Sequence, residues 1–277
     1  MPADKIETFH GSVIQHGPHN DRIYLMHLNT ADTERLIKSL DVLAADCGYG
    51  KIFAKIPASC WQLFLAAGYV KEATVPGFFN GATDGFFIAK FFSSDRRKAP
   101  AQAPNEHPIG PPGLQSAEIP SVGGVEYCSS ALAEDMAALY REVFESYAFP
   151  IHRPSYLRRM MEKHVVYFGV RMKARIAALA AAEVDDHSQT CEMTDFATLP
   201  EYRGKGLAGY LLDFMETDVC HRGTKTAYTI ARADSPGINR VFQKRGYRFA
   251  GCLAKNTQIG GRIRSMNIWY KKLIKGK

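Results

Sequence analysis

The stretch Pro200-Glu201-Tyr202-Arg203-Gly204-Lys205-Gly206-Leu207-Ala208 stands between a strand-like run, Cys191 to Thr198, and a helix-like run, Leu207 to Val219. Gly204 and Gly206 have no Cβ, so the backbone there can curl and bring successive N–H groups toward an anion. The helix that follows adds its positive N-terminal end, and Arg203 and Lys205 add mobile charge. The spacing is neither Gly-x-x-x-x-Gly-Lys-Ser/Thr nor Gly-x-Gly-x-x-Gly followed by a ribose-binding acid, which argues against nucleotide hydrolysis and dinucleotide binding. What remains is a turn suited to the phosphates of some other ligand.

The pattern downstream continues in alternation. Thr226 to Ala231 reads as a strand, Ile238 to Arg245 as a short helix closed by Gly246-Tyr247, and further strands begin at Arg248 and at Arg264, the last ending at Tyr270 before a basic tail, Lys271 to Lys277. Upstream come a strand (Val125 to Ser129), a helix (Leu132 to Phe144), an aromatic loop (Ser146 to His152), a helix opened by Pro154, and strands at Val165 to Arg171 and Ile176 to Val184. Between Ser93 and Gly124 six prolines lie among Ala, Gln, Asn and Gly, the composition of an extended solvated linker. The chain therefore divides into an N-terminal α/β unit (1–95), a linker (96–123) and a C-terminal unit (124–277).

Bulk composition narrows the classes. The 277 residues carry a formal charge of +7 with 46% hydrophobic and 23% charged residues, ordinary for a globular protein. Neither an apolar run of spanning length nor a signal-peptide pattern is present, so a cytoplasmic protein without membrane contact is expected. The basic residues are dispersed, with no nucleic-acid-binding stripe. Six cysteines are scattered without metal-ligand spacing, so no metal site is expected.

Arg203, Gly206 and Ala208 match Arg/Gln-x-x-Gly-x-Gly/Ala, and the segment resembles the pyrophosphate-binding signature of the GCN5-related N-acetyltransferases (GNAT). The resemblance covers roughly half the chain. It implies an α/β (α+β) fold with a mixed central sheet flanked by helices, and acetyl-CoA as co-substrate. It also implies that the strand Thr194 to Thr198 splays from its neighbour. The pantetheine arm then pairs with the main chain of Phe196 and Thr198, an N–H near Phe196 or Ala197 polarises the thioester, and Arg203, Gly204, Lys205, Gly206, Leu207 and Ala208 hold the diphosphate. Asn239 is a further coenzyme candidate. Glu192 and Asp195 are the nearest acids; alternation along a strand puts them on opposite faces, with Glu192 read as base and Asp195 as ammonium anchor. Where many members carry a Tyr that can protonate the departing thiolate, this chain has Phe242.

The N-terminal unit shows a faint copy of the same half-fold: Lys51 to Pro57, Phe64, Gly68-Tyr69 and Phe86 to Lys90 parallel Ala227 to Arg232, Phe242, Gly246-Tyr247 and Met266 to Tyr270. No counterpart of the phosphate loop accompanies it. Segments from both units (Gly48 to Pro57, Val75 to Gly81, Tyr147 to His152, Glu192 to Pro200) resemble the beta-lysine N-acetyltransferases. This implies β-lysine as acceptor, an osmolyte product and a lysine 2,3-aminomutase upstream. Tyr147, Phe149 and His152 then border the acceptor pocket, Phe78, Phe79 and Asn80 close it, and Arg153 or Arg232 meets the substrate carboxylate. Acetylation of another amine, such as a polyamine or a protein Lys or N-terminus, and a non-catalytic CoA-binding module remain as alternatives. The sequence is silent on oligomeric state.

Overall fold

The computed structural model describes residues 4–98 and 124–273; most of the linker and the end of the basic tail lie outside them. The N-terminal unit runs β1 (Lys5–Phe9), β2 (Ser12–Gly17), β3 (Arg22–His27), α1 (Thr33–Cys47), β4 (Lys51–Pro57), α2 (Trp61–Ala66), β5 (Val70–Phe79) and β6 (Thr83–Phe91). The C-terminal unit runs β7 (Val125–Tyr127), α3 (Ala133–Val143), α4 (Pro154–Met161), β8 (Val165–Met172), β9 (Arg175–Asp185), β10 (Thr190–Thr198), α5 (Leu207–His221), β11 (Thr226–Arg232), α6 (Pro236–Lys244), β12 (Arg248–Ile259) and β13 (Arg262–Lys272).

All these strands join one mixed sheet, in the order β1-β2-β3-β4-β6-β5-β12-β13-β11-β10-β9-β8-β7. Each half contains the same succession: three antiparallel strands, a crossover helix to a parallel fourth strand (β3 to β4 through α1, β10 to β11 through α5), and a final antiparallel pair. Helices cover the faces because the strand residues alternate. Ile23, Leu25, Ile52, Ala54 and Ile56 pack under Leu36, Ile37 and Leu40 of α1, while Cys191, Met193, Ala178 and Ala180 pack under Leu207, Leu211 and Met215 of α5. The opposite face of the C-terminal unit, including Ala181 and Leu179, meets α3 and α4.

The halves meet at a narrow seam. β5 and β12 share a single register pair, Ala73 with Gly251. Lys51 Nζ donates to the Ala254 carbonyl and to Glu72 at 2.8 Å each, and Glu72 accepts from the Ala254 N–H at 2.7 Å. Lys51 and Glu72 are buried; desolvation pulls the Lys51 ammonium down to about 8 against the pull of Glu72. From this seam the sheet curls, so that faces five strands apart touch: Lys55 on β4 reaches Tyr228 on β11. Tyr24, Phe53, Val75, Phe78 and Phe87 of the first half form one core with Tyr228, Leu253, Met266, Ile268 and Tyr270 of the second. Each such aromatic contributes about 2–3 kcal/mol through burial alone.

Two expectations are corrected. The linker does not begin as a solvated segment: Arg96 is buried, and its Nη1 donates to the Asp21 carboxylate and to the carbonyls of Asn20 and Asp21. The stretch through Lys98 is thus tied to the β2–β3 turn by one ion pair that composition cannot reveal. Nor does the basic tail start at Lys271, since β13 continues to Lys272 and Lys271 pairs with Glu216 of α5.

Gly251 holds the seam at φ +148°, and a Cβ there would stand against the Glu72 carbonyl oxygen and Ala73. Gly251→Val is expected to cost about 3 kcal/mol or more, read as a large drop in Tm, whereas Gly223→Ala, at a turn with open space, should cost much less.

Candidate active site

β10 makes the site through two departures from regular pairing. It runs parallel to β11 only from Thr190 to Glu192, opposite Thr226 to Tyr228, after which the two strands part. Against β9, Thr194 pairs with Ala181 but Ala197 with Leu179: three steps on β10 answer two on β9. The extra residue is a bulge, and Asp195 sits in it at φ +55°, a left-handed conformation that Asp tolerates better than most residues. The strand's facing therefore inverts. Cys191 and Met193 lie against α5, whereas Ala197 and Leu199 lie against α3 and α4. Glu192 and Asp195, expected on opposite faces, are brought to the same side.

A third acid joins them. Glu183 on β9 stands directly across from Glu192, which in turn stands across from Tyr228 on β11. Glu183 lies deep in the fold, yet its side chain is exposed, and Glu192, Tyr147 and Lys55 beside it are half-buried; exposure at that depth places these groups around a solvent-reached cavity. Burial raises all three carboxyls. Glu183 is pushed up to about 8 by desolvation, then by the charges of Glu192 and Asp195. Asp195 is pushed up to about 6 by desolvation, against a hydrogen bond from the Tyr147 hydroxyl. Glu192 is raised by desolvation, with Lys55 opposing. Lys55 donates to the Tyr228 hydroxyl at 2.9 Å, with its ammonium 5.5 Å from the Tyr24 ring centroid. Its burial would discharge it, but Tyr24 and Glu192 together hold it protonated.

The aromatic loop is clamped over this cavity by both halves. The Tyr147 carbonyl accepts from His19 Nε2 at 3.1 Å, and the Ala148 carbonyl from Gln15 Nε2 at 3.3 Å. The Ser146 carbonyl accepts from the Gly260 N–H. Tyr147 thus meets the acids, while Phe149 packs with the α3–α4 core. His152 turns away from the acids toward the end of α3, where it bonds the backbone of Tyr140 and Phe144, and desolvation lowers its pKa. Phe78 packs on Tyr228, at 5.0 Å between centroids. Phe79 and Asn80 sit further out: Asn80 docks on the β9–β10 turn through its backbone, its N–H donating to Ser188 and its carbonyl accepting from Lys225.

The coenzyme loop has the geometry its glycines suggest. Gly204 and Gly206 adopt φ +77° and +78°, and a Cβ on either would point into open space. Gly206 caps α5 with no side chain over the first-turn N–H groups. A diphosphate fits there. The equivalent helix of the first half cannot receive one, because Asn29 and Asp32 cap the N–H groups of Ala31 and Arg35. Lys205 lies over the Tyr202 ring, and Arg203 Nε donates to the Thr198 carbonyl at 3.2 Å. Leu207 is buried beneath the loop, with Ala208 half-buried beside it.

Asn239 differs from expectation. Its amide donates to the carbonyls of Arg232 (2.8 Å) and Ser235 (2.7 Å), and its oxygen accepts from Asn267 (2.9 Å) and Trp269 (2.8 Å). With both hydrogens and both lone pairs engaged, it fastens α6 to β11 and β13 and has nothing left for a coenzyme. Phe242 is buried between Phe196 and Tyr247, so no phenol stands at that position. Arg153 and Arg232, the carboxylate candidates, lie at the exposed start of α4 and the end of β11. The cation facing the acids is Lys55, whose only sequence signal is Lys51-Ile52-Phe53-Ala54-Lys55: alternation puts both lysines on the face opposite the α1 core. Glu183 has a comparable signal, the first acid after the alanine-rich run of β9.

A mixed sheet whose central strand parts from its neighbour beside an uncapped glycine turn defines an acyl-CoA N-acyltransferase. Residues 130–247 match the acetyltransferase (GNAT) family. The chain is 34% identical over 97% of its length to a beta-lysine N(6)-acetyltransferase of Methanococcus maripaludis, covering 98% of that protein. It is 40% identical to that of Methanosarcina mazei over 51% of this chain and 52% of the other. The N-acetyltransferase YodP of Bacillus subtilis is 29% identical over 95% of this chain and 96% of that one. The chain belongs to the acetyltransferase (GNAT) family and is an N-acetyltransferase.

Two outcomes are expected. Gly206→Val adds a Cβ where a phosphate would approach and should weaken acetyl-CoA binding by about 2 kcal/mol, roughly 30-fold, in calorimetric titration. Glu183, raised in the fold, keeps a proton that the unfolded chain releases, so its contribution to stability falls as pH climbs from about 4.5 to about 8. The Tm advantage of Glu183→Gln over wild type should therefore widen across that window and level off above it.

Proposed function

We propose that the enzyme transfers acetyl from acetyl-CoA to the side-chain amine of β-lysine, giving Nε-acetyl-β-lysine. The observation that carries this reading is the cavity's charge: three carboxyls, Glu183, Glu192 and Asp195, gathered beside Lys55, with buried Arg22 also acting on Glu192. At neutral pH Glu183, at about 8, holds its proton while Asp195, at about 6, and Lys55 are ionised, so the site offers an ammonium group a carboxylate partner and a carboxylate a cation. β-Lysine, with two ammonium groups and one carboxylate, has a single net positive charge. The relatives named for β-lysine acetylation support the same acceptor.

The diphosphate rests on the N–H groups from Gly204 to Ala208, with Arg203 and Lys205 free to swing onto it. The acyl arm lies along the edge of β10 exposed where β11 departs, beside Phe196, Ala197 and Thr198, an N–H there drawing charge from the thioester carbonyl. Asp195 adjoins that point. Its carboxyl, near 6, is mostly ionised at neutral pH and basic enough to accept a proton from the attacking ammonium. Glu192, nearer Lys55, then holds the second ammonium, so the roles first read for these two acids exchange. The neutral amine attacks the thioester carbon, the nitrogen sheds its second proton to water, the tetrahedral oxyanion collapses, and the thiolate leaves. With Phe242 in place of a phenol, the thiolate takes its proton from water or from Asp195. The repeated strand order supports a duplicated half-fold, of which only the second copy holds coenzyme. The product is a neutral zwitterion, in keeping with an osmolyte role supplied by a lysine 2,3-aminomutase.

The test is an amine screen following CoA release. β-Lysine is expected to exceed α-lysine, spermidine and lysyl peptides in kcat/KM; a preference for spermidine or peptide overturns the acceptor assignment, and tight acetyl-CoA binding with no acceptor turned over favours a binding module. In the same assay kcat/KM should fall below about pH 6 as Asp195 protonates, and Asp195→Asn should remove that limb with a loss of about 100-fold or more.

A further inference from the structure

We propose that Lys55, contributed by the N-terminal unit, selects acceptors that carry a free carboxylate by pairing with it inside the cavity. This rests on the acetyl-transfer reading and refines its acceptor side. Three observations lead to it. Lys55 is half-buried, in contrast to the other two cations on the inner face of β3 and β4. Arg22 is 3% exposed with its Nη1 on the Asn256 carbonyl and Thr257, and Lys51 is fully buried on Glu72 and Ala254. Among the described residues, Lys55 meets only hydroxyls as side-chain hydrogen-bond partners, those of Tyr228 and Tyr24, which leaves the third ammonium hydrogen directed at neither. It also sits at one end of the acids: next to Tyr228, which stands across from Glu192, with Asp195 three residues further toward the parted strands.

Read from the parted strands inward, the cavity offers a base, then carboxylates, then a cation. A diamino acid entering amine first presents its groups in that order: reacting amine, second ammonium, carboxylate. A diamine lacking the carboxylate would leave Lys55 opposite a methyl group, removing one charge-assisted hydrogen bond that the free ammonium hydrogen would otherwise make. The N-terminal unit would thus set acceptor specificity while the second unit supplies coenzyme binding and chemistry.

The experiment crosses enzyme variants with acceptors: wild type, Lys55→Met and Lys55→Arg against β-lysine, β-lysine methyl ester and 1,4-diaminopentane, which keeps the amine spacing of β-lysine and lacks its carboxylate. Wild type should favour β-lysine over the ester by about 30-fold or more in kcat/KM, carried mainly in KM. Lys55→Met should lose that preference, with β-lysine falling to the level of the ester and the diamine unchanged or improved. Lys55→Arg should restore part of it. Acetyl-CoA affinity should stay at the wild-type value throughout. Equal loss on all three acceptors would overturn the proposal, since it would make Lys55 only a counter-charge to the acids. So would a wild type indifferent to esterification, a comparison that needs no variant and stands even if Lys55→Met fails to fold. Should wild type ignore β-lysine but turn over another diamino acid, that acid and its ester take the same places; the acceptor assignment then fails while the carboxylate test still decides the role of Lys55. A wild type that accepts no carboxylate-bearing amine overturns the role outright.

Discussion

One extra residue in β10 shapes the candidate site of this protein. Without the bulge at Asp195, strict alternation would send Asp195 to the α5 side, into a core of Met193, Leu211 and Met215, where an unpaired carboxylate costs several kcal/mol. With it, Asp195 turns toward Tyr147 and joins Glu192 and Glu183. The positive φ is a local strain, offset by the hydrogen bonds from Thr194 and Tyr147 and by the packing of Ala197 and Leu199 beyond. The same region is where β10 loses β11 as a partner, so the bulged acid and the unpaired backbone edge arise together.

The second constraint is the curl of the sheet. Edge-to-edge pairing at a single residue pair is weak, and the halves are held instead by what lies around it: the Lys51–Glu72 clasp on Ala254, the aromatic core between the inner faces, and the loop contacts from Gln15 and His19. These also place Lys55 opposite the acids. Stability and site assembly therefore share the same contacts, and damage at the seam should be felt in the cavity.

Much of the second half was legible in the sequence because its signals are local. Gly204 and Gly206 announce a positive-φ turn, Pro154 starts a helix, and the alternating runs at Val165, Arg175 and Thr226 are strands. The N-terminal strands before Lys51 and the helix Thr33–Cys47 went unread, although Asp32 and Gly48 mark its ends as cap residues. The site itself was legible only in part. Glu192 and Asp195 stand out as the acids of the strand, but no residue type flags a bulge in Thr194-Asp195-Phe196, so alternation sends them to opposite faces where the structure brings them to one. Glu183 and Lys55 were missed because their meaning comes from strands distant in sequence. Asn239 has a coenzyme contact's appearance in one dimension and a fully engaged amide in three.

The contrast between the two crossover helices has a consequence for how such a chain can change. In the first half, Asn29 and Asp32 close the helix end that in the second half is left open by Gly206. A half-fold relieved of gripping a nucleotide is free to vary its inner face without endangering the donor. If acceptor choice rests with the first half as proposed for Lys55, new acceptors can be reached by altering its inner face while β10 stays as it is.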